Sequence, residues 1–174
     1  GDGWHEGVIG IAASIICEKY KKGKKRDELL DFFRMRSDMK TIESIYRLKK
    51  YYGSGSDIHT GSFFNSGITS FSEKELASLL AASSPDEVLE LLKKTRYGKY
   101  LPAGDMVIER KTAIMQLRIN EKQLRYSTHP ETVFLSYVGI MENEMQNVTH
   151  IIEGIRYSLP PEEIMKYLIK SDDK

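Results

Sequence analysis

Four histidines and one cysteine are the side chains that could bind a metal, and their spacing indicates whether they could do so together. None of His5, His59, His129 and His150 has a second histidine at the i, i+4 spacing of a helical metal pair. Cys17 lies in an apolar run with no second thiol for a metal or an internal disulfide. We therefore expect no metal site, a reducing compartment and a core position for Cys17.

The carboxylate clusters of the chain are also poor candidates for catalysis. Glu142, Glu144 and Asn147 stand at i, i+2 and i+5, a spacing that does not bring three side chains together on one substrate. Trp4-His5-Glu6 is better interpreted as a helix start than as a catalytic pair. The sequence holds neither a G-x-x-x-x-G-K-[ST] phosphate loop nor a G-x-S-x-G elbow. We expect no catalytic residue and no cofactor.

Composition and charge describe an ordinary globular chain. The 26 Lys and Arg nearly balance the 25 Asp and Glu, so no overall field attracts nucleic acid or an anionic membrane. A basic run at residues 19–26 could bind phosphate, but it has no interleaved stacking aromatics, which favours a solvated helix end. The apolar run at residues 7–17 is about half of the ~20 residues that span a bilayer, so no membrane crossing is expected.

Helical periodicity and cap signals along the chain predict an all-α fold. Ser72-Glu-Lys-Glu75 is a capping box, and Ser84-Pro85 places a cap before a proline at the first helical position. Gly98 is predicted to end that second helix in the left-handed conformation. Further helices are predicted to start at Asp27, at Asp38 as N-cap, at about Asp105 and at His129-Pro130, and residues 53–70 are predicted to form a long loop.

Two stretches of the chain repeat one pattern at an offset of 106 residues. Asp38 to Tyr51 and Glu144 to Tyr157 share an acidic start, an apolar stripe and a basic, aromatic end. We predict that residues 38–51 and 144–157 form superposable helices. The apolar positions that match in phase are predicted to be buried: Ile42, Ile45, Val148, Ile151 and Ile152.

Residues 31–170 resemble the C subunit of the V/A-type ATPases, the counterpart of the d subunit in the eukaryotic proton pump. Phe32 to Lys49 is similar to the family's acidic and Arg-x-Lys pattern, with Thr41 where the family usually has Asn. Thr95-Arg-Tyr-Gly98 is similar to its Thr-x-Tyr-Gly motif. Residues 137–164 are similar to its Tyr, Glu and Asn pattern and its Leu-Pro-x-Glu-Glu-Ile ending.

This resemblance implies a coupling part of a rotary motor and not a catalyst. It implies a funnel-like protein of three helical repeats, peripheral on the cytoplasmic face of the membrane, that binds central-stalk subunits and the membrane rotor ring. Two repeats are visible, at about 27–104 and 105–174, after an N-terminal helical segment at 1–22, as expected for a C-terminal portion or a shortened form. The residues assigned structural roles in the repeats are Asp38, Ile42, Tyr97, Gly98, Glu144 and Asn147.

A second resemblance is confined to the N-terminus. Gly3 to Ser14 is similar to the Trp-His-x-Gly-Val-Ile-Gly-Ile-x-Ala segment of RecJ-type DHH exonucleases, whose Asp-His-His cluster this chain lacks. The offset places residues 4–20 opposite residues 110–126, so a helix is expected there under either ancestry. The alternatives to the coupling role are a nuclease fragment that binds single-stranded nucleic acid and a helical adaptor of unnamed partner.

The residues predicted to bind a partner are two cations and two aromatics. Arg47 and Lys50 stand near a helix end, and Phe63 and Phe64 are the bulky apolar pair of a polar loop. Arg and aromatic residues are enriched among interface hot spots. The alternative roles are that Arg47 neutralises a neighbouring acid and that the Phe pair fixes the loop to the core.

Overall fold

The computed structural model describes residues 15, 18–19, 24–52 and 68–171, and helices joined by short irregular segments make up these residues. The α-helices of the two longer ranges are α1 (Lys24–Tyr52), α2 (Glu73–Ala81), α3 (Pro85–Lys93), α4 (Ile108–Tyr126), α5 (Pro130–Arg156) and α6 (Pro161–Tyr167), with a 3-10 turn at Gly98–Tyr100. The described ranges contain no strand, and the all-α prediction is confirmed. The chain divides into two compact units, residues 1–99 (unit 1) and 100–174 (unit 2). Nowhere in the described ranges is a helix both long and apolar enough to cross a membrane.

Helix α1 is one continuous helix, and the predicted helix starts at Asp27 and Asp38 were wrong. The helix starts at Lys24 and passes through both residues. No glycine or proline occurs between residues 24 and 52, so nothing in the backbone interrupts the hydrogen-bond ladder. Asp38 is fully buried at mid-helix, where its side chain contacts other segments and does not cap the helix.

The starts of α2 and α3 confirm the cap predictions. The Ser72 Oγ accepts a hydrogen bond from the Glu75 amide at 3.3 Å, and the Ser72 amide donates to Glu75 Oε2 at 2.8 Å. Ser84 accepts from the Glu87 amide at 3.2 Å, with Pro85 in the first turn. The Glu87 pKa is lowered because the Ser83 side chain donates to its carboxylate. Both helices therefore begin where local chemistry satisfies their free amides.

The capping box predicts a measurable stability effect. Ser72→Ala removes the acceptor for the Glu75 amide and should lower the free energy of unfolding of unit 1 by about 1 kcal/mol. Ser78→Ala is the matched control, because Ser78 is exposed in α2 and its hydroxyl only bonds back to the Lys74 carbonyl at 2.8 Å. Urea denaturation of both variants checks this, and equal midpoints would contradict it.

Unit 1 has a core between α1 and the two short helices. Helix α3 packs against both α1 and α2. Met39, Ile42 and Ile45 of α1 are at most 1% exposed, which confirms the predicted burial of the two isoleucines. The other fully buried side chains of this core are Leu79, Val88, Leu92 and Tyr97.

Unit 2 is built on the pair α4 and α5. These helices are joined by residues 127–129 and pack against each other, while α6 packs against α5. Ile114 and Leu117 of α4 form a core with Ile169, which follows α6. The segment after α6 is thus part of the core of unit 2.

Gly98 has a role other than the predicted left-handed helix end. The positive-φ glycine of the described residues is Gly104, with φ 88°, and Ser158 also has a positive φ of 55°. At Gly98 the constraint is space, because a Cβ there would overlap the backbone carbonyl of Lys93. The turn after α3 therefore accepts glycine because of close approach and not because of backbone conformation.

Gly98→Ala is expected to lower the stability of unit 1 by about 1 to 3 kcal/mol, because a backbone carbonyl cannot move aside as a flexible side chain can. Ala82→Gly, in the same unit, measures the effect of the converse change at a helix end. Thermal unfolding of unit 1, followed by hydrogen exchange of its peptides, checks the result. A Gly98→Ala midpoint equal to the parent's would show that the turn relaxes freely.

Candidate functional site: a buried carboxylate and an exposed helix face

Asp38 is the centre of a buried polar cluster in unit 1. Its Oδ1 accepts a hydrogen bond from the Thr69 hydroxyl at 2.5 Å, and its carboxylate accepts from the Ser70 amide at 3.0 and 3.2 Å. Its Oδ2 accepts from the Tyr97 hydroxyl at 2.5 Å. We call Asp38, Thr69, Ser70 and Tyr97 the Asp38 cluster. The cluster joins α1 to the segment before α2 and to the turn after α3.

The Thr-x-Tyr-Gly motif forms the turn that brings Tyr97 to Asp38. Thr95 donates its hydroxyl proton to the Leu92 carbonyl at 2.8 Å and accepts from the Tyr97 amide at 3.3 Å. The Gly98 amide then donates to the Thr95 carbonyl at 3.1 Å. The ring of Tyr97 packs edge-on against Phe71, with centroids 5.4 Å apart. The motif thus ends α3 and aims one hydroxyl at a buried acid.

Burial dominates the electrostatics of this cluster. The pKa of Asp38 is raised, because desolvation of the carboxylate outweighs the hydrogen bonds from Thr69, Tyr97 and Ser70. The pKa of Tyr97 is also raised, first by burial and then by the negative charge of Asp38. Tyr97 therefore stays protonated and remains a hydrogen-bond donor.

The raised Asp38 pKa predicts a pH-dependent stability. The unfolded-state pKa of Asp is about 3.9, so the stabilising contribution is fully present below that pH and is lost as the pH rises through the higher folded-state value. The free energy of unfolding of the parent, minus that of Asp38→Asn, should fall between pH 4 and pH 7. Asp31→Asn, at a partly exposed position of the same helix, is the control for the same substitution and is measured over the same pH range. A difference that stays constant or grows with pH would contradict the assignment.

In unit 2 an amide side chain ties the long helix to a later segment. Asn147 of α5 donates from Nδ2 to the Ile169 carbonyl at 2.9 Å and accepts from the Ile169 amide at 2.7 Å. Glu144, which matches Asp38 in the sequence repeat, is exposed. Asn147, the side chain that joins α5 to the segment after α6, therefore lies about one helical turn after Glu144, the position that corresponds to Asp38.

Helix α5 buries small side chains and exposes large apolar ones. Its buried residues are Thr132, Ser136, Gly139, Asn143 and Gly154. A Cβ at Gly139 would overlap the Asn120 amide of α4, and a Cβ at Gly154 would lie 2.6 Å from Ile164 of α6. The small residues therefore let α4 and α6 approach the backbone of α5 closely.

The prediction that Val148, Ile151 and Ile152 are buried was wrong. They are 55%, 37% and 60% exposed, because α4 packs on the small-residue face of α5 and leaves the apolar face uncovered. We call the apolar row on this face the α5 stripe; it alternates spacings of four and three residues. Its members are Phe134, Val138, Met141, Met145, Val148, Ile152 and Ile155.

The predicted partner-binding residues fall in two places. Arg47 and Lys50 are exposed in the last turns of α1, and the Lys50 ammonium lies 5.8 Å from the centre of the Tyr51 ring. Phe63 and Phe64 lie outside the described residues. Sequence reasoning did not select Tyr51 and Tyr52, which are 71% and 69% exposed beside the two cations. The sequence feature that could have identified them is the position of two tyrosines directly after two cations at the end of a predicted helix.

The described ranges bring no group of three His, Cys, Asp or Glu side chains together as metal ligands. Thr69 and Ser70, which complete the Asp38 cluster, were also not selected from the sequence. They lie at the end of the predicted loop, and nothing local links them to a carboxylate 31 and 32 residues earlier.

Comparison with known proteins identifies the family. The family model described as "ATP synthase (C/AC39) subunit" matches residues 11–167. The C subunit of the A-type ATP synthase of Haloferax volcanii is 27% identical over 156 residues, which cover 84% of this chain and 43% of that protein. This chain thus spans less than half the length of that relative, and no solved structure gives a significant match. With a family match that covers nearly all of its residues, the chain belongs to the ATP synthase (C/AC39) subunit family.

Proposed function

We propose that the chain is a non-catalytic coupling subunit of a rotary V/A-type ATPase, which links the central shaft to the membrane rotor ring during ion transport. The observation that carries this proposal is the family match over residues 11–167. The all-helical structure agrees with it. In this role the chain transmits torque through protein contacts, is peripheral on the cytoplasmic side of the membrane, and needs no cofactor of its own.

The C-terminal end of α1 is the proposed contact with the central stalk. Arg47 and Lys50 are exposed there beside two exposed tyrosines, which gives a patch of cations and aromatics on a rigid helix. Such residues are over-represented among interface hot spots because they bury large areas and make several contacts at once. Phe63 and Phe64, which follow α1 in the sequence, are proposed as part of the same interface.

Affinity purification from detergent-solubilised membranes tests the function. A tagged chain should recover central-stalk subunits and the rotor ring together. The control is a tag on one of the catalytic subunits of the same ATPase, which shows that the complex survives solubilisation. Recovery of the complex through the control tag but never through the tagged chain would reject the proposal.

Variants then test the proposed contact. Arg47→Ala with Lys50→Ala, and separately Phe63→Ala with Phe64→Ala, should each weaken binding to purified stalk subunits by at least about 30-fold, the equivalent of ~2 kcal/mol. Lys74→Ala, at an exposed position of α2, is the matched control and should bind like the parent. Parental affinity in both double variants would remove these residues from the interface while leaving the family role intact.

A further inference from the structure

Residues 168–171, which follow α6, form a non-helical segment that we call the strap. The Arg110 guanidinium of α4 donates to the Leu168 carbonyl at 3.0 Å, and Arg118 Nε of the same helix donates to the Ser171 carbonyl at 3.0 Å. A charged donor makes a stronger hydrogen bond than a neutral one. These two contacts from α4 therefore hold the strap by its backbone, whatever side chains the strap carries.

Asn147 of α5 binds the middle of the strap in the same way. Its side-chain amide pairs with both the N–H and the C=O of Ile169, at 2.7 and 2.9 Å. The backbone at Leu168 is extended, and the Ile169 side chain is 6% exposed in a core with Ile114 and Leu117. Where an extended peptide is recognised, main-chain hydrogen bonds supply affinity and a side-chain pocket supplies specificity. The side chains of α4 and α5 thus contact the strap as a groove contacts an extended peptide with one aliphatic anchor.

The chain that leads to the strap is weakly packed. Residues 157–167 contain α6, and none of these residues, all of which the structure describes, is buried. A segment with few buried contacts opens locally at a lower free energy than a packed helix. Helices α4 and α5 have their own contact, in which Ser136 donates to Gln123 at 3.0 Å. The strap is therefore an anchor at the end of an exposed connector, and its release leaves that contact in place.

We propose that the groove between α4 and α5 is a peptide-binding site, in which an extended segment of a partner protein with Ile or Leu at the anchor position replaces the strap. The contacts from Arg110, Arg118 and Asn147 are made to main-chain atoms, so they suit any extended segment. The anchor is aliphatic because apolar side chains surround Ile169. The strap is then an intramolecular competitor of the partner. This inference is independent of the function proposed above.

A partner protein fits the groove better than a second copy of this chain does. Two copies that exchanged straps would make the same groove contacts as two separate chains, so these contacts would not offset the entropy cost of association. A partner segment longer than the strap adds contacts of its own. Only the partner segment therefore gains contacts by displacing the strap.

Binding of a fluorescent synthetic peptide with the sequence of residues 165–171 to the full chain tests the proposal. Ile169→Ala in the chain shortens the anchor of its own strap and leaves the groove free for longer, so the peptide should bind this variant at least tenfold more tightly than the parent. Adding Asn147→Ala should weaken that binding at least tenfold. Gln146→Ala, at the adjacent exposed amide of α5, is the matched control and should not change it.

A peptide that carries Ile169→Asp should bind none of these chains, because a carboxylate does not fit the apolar anchor position. Failure of the unmodified peptide to bind a folded Ile169→Ala chain would overturn the proposal. Binding that Asn147→Ala leaves unchanged would overturn it as well, because the peptide would then be outside the groove.

The parent chain gives a second test that needs no strap variant. Unlabelled peptide at about the millimolar range, comparable to the effective concentration of a tethered segment, should displace the strap in an isotopically labelled chain. Hydrogen exchange of residues 165–171 should then be at least threefold faster, with α4 unchanged. Unchanged exchange of the strap would overturn the proposal. Sedimentation should show a monomer, and a concentration-dependent dimer that Asn147→Ala abolishes would also overturn it, because a second copy's strap would then be the occupant.

Discussion

Replacing Asp38 by alanine is expected to destabilise unit 1 by about 3 kcal/mol. The Ser70 amide would lose its acceptor, and the Tyr97 hydroxyl would keep only a 3.3 Å contact to Ser70 Oγ. A net hydrogen bond to a charged group contributes about 1.5 to 3 kcal/mol, and a buried donor left unpaired costs about 1 to 3 kcal/mol. The relief of carboxylate desolvation offsets part of this loss, which keeps the total near the lower end of the sum.

Two variants separate the lost hydrogen bonds from other effects of the substitution. Asp38→Asn keeps one carbonyl acceptor and should lose roughly half as much stability as Asp38→Ala. Asp31→Ala, also on α1 but paired with Arg34 and Arg96 at 3.5 and 3.6 Å near the surface, should change stability by less than about 1 kcal/mol. Chemical denaturation with hydrogen exchange of unit 1 peptides measures all three. A loss in Asp38→Ala no larger than in Asp31→Ala would show that the cluster does not hold unit 1 together.

The caps were predictable because their chemistry is local. Ser72 and Glu75, or Ser84 and Pro85, decide a helix start within four residues, and both starts appear where the sequence placed them. Asp38 was misassigned because an acidic residue before an apolar stripe looks the same as a cap. Its true partners are Thr69, Ser70 and Tyr97, 31 to 59 residues away, and no local pattern encodes contacts at that distance.

The orientation of α5 shows what helical periodicity leaves open. The period of its apolar residues was read correctly and α5 is a helix, but periodicity defines a face without naming the element that covers it. The face packed on α4 carries Ser136 and Gly139, whose small size permits close approach. Apolar content alone does not predict that a face of small residues is buried while the face with Met145 and Val148 is exposed.

Truncation of matched isoleucines in the two units should give very different results. Ile45 and Ile151 occupy equivalent positions of the repeat, but Ile45 is 0% exposed and Ile151 is 37% exposed. Ile45→Ala leaves a cavity among packed neighbours and should lower the free energy of unfolding by about 2 to 5 kcal/mol. Ile151→Ala removes atoms already partly in water and should change it by less than about 1 kcal/mol.

The comparison is internally controlled, because the substitution, the helix phase and the flanking pattern are the same in both units. Denaturation of each variant, with hydrogen exchange read separately for peptides of α1 and α5, assigns the loss to its unit. The expected result is a large loss of protection in α1 for Ile45→Ala and near-parental protection in α5 for Ile151→Ala. A loss for Ile151→Ala as large as that for Ile45→Ala would mean that Ile151 is covered in solution.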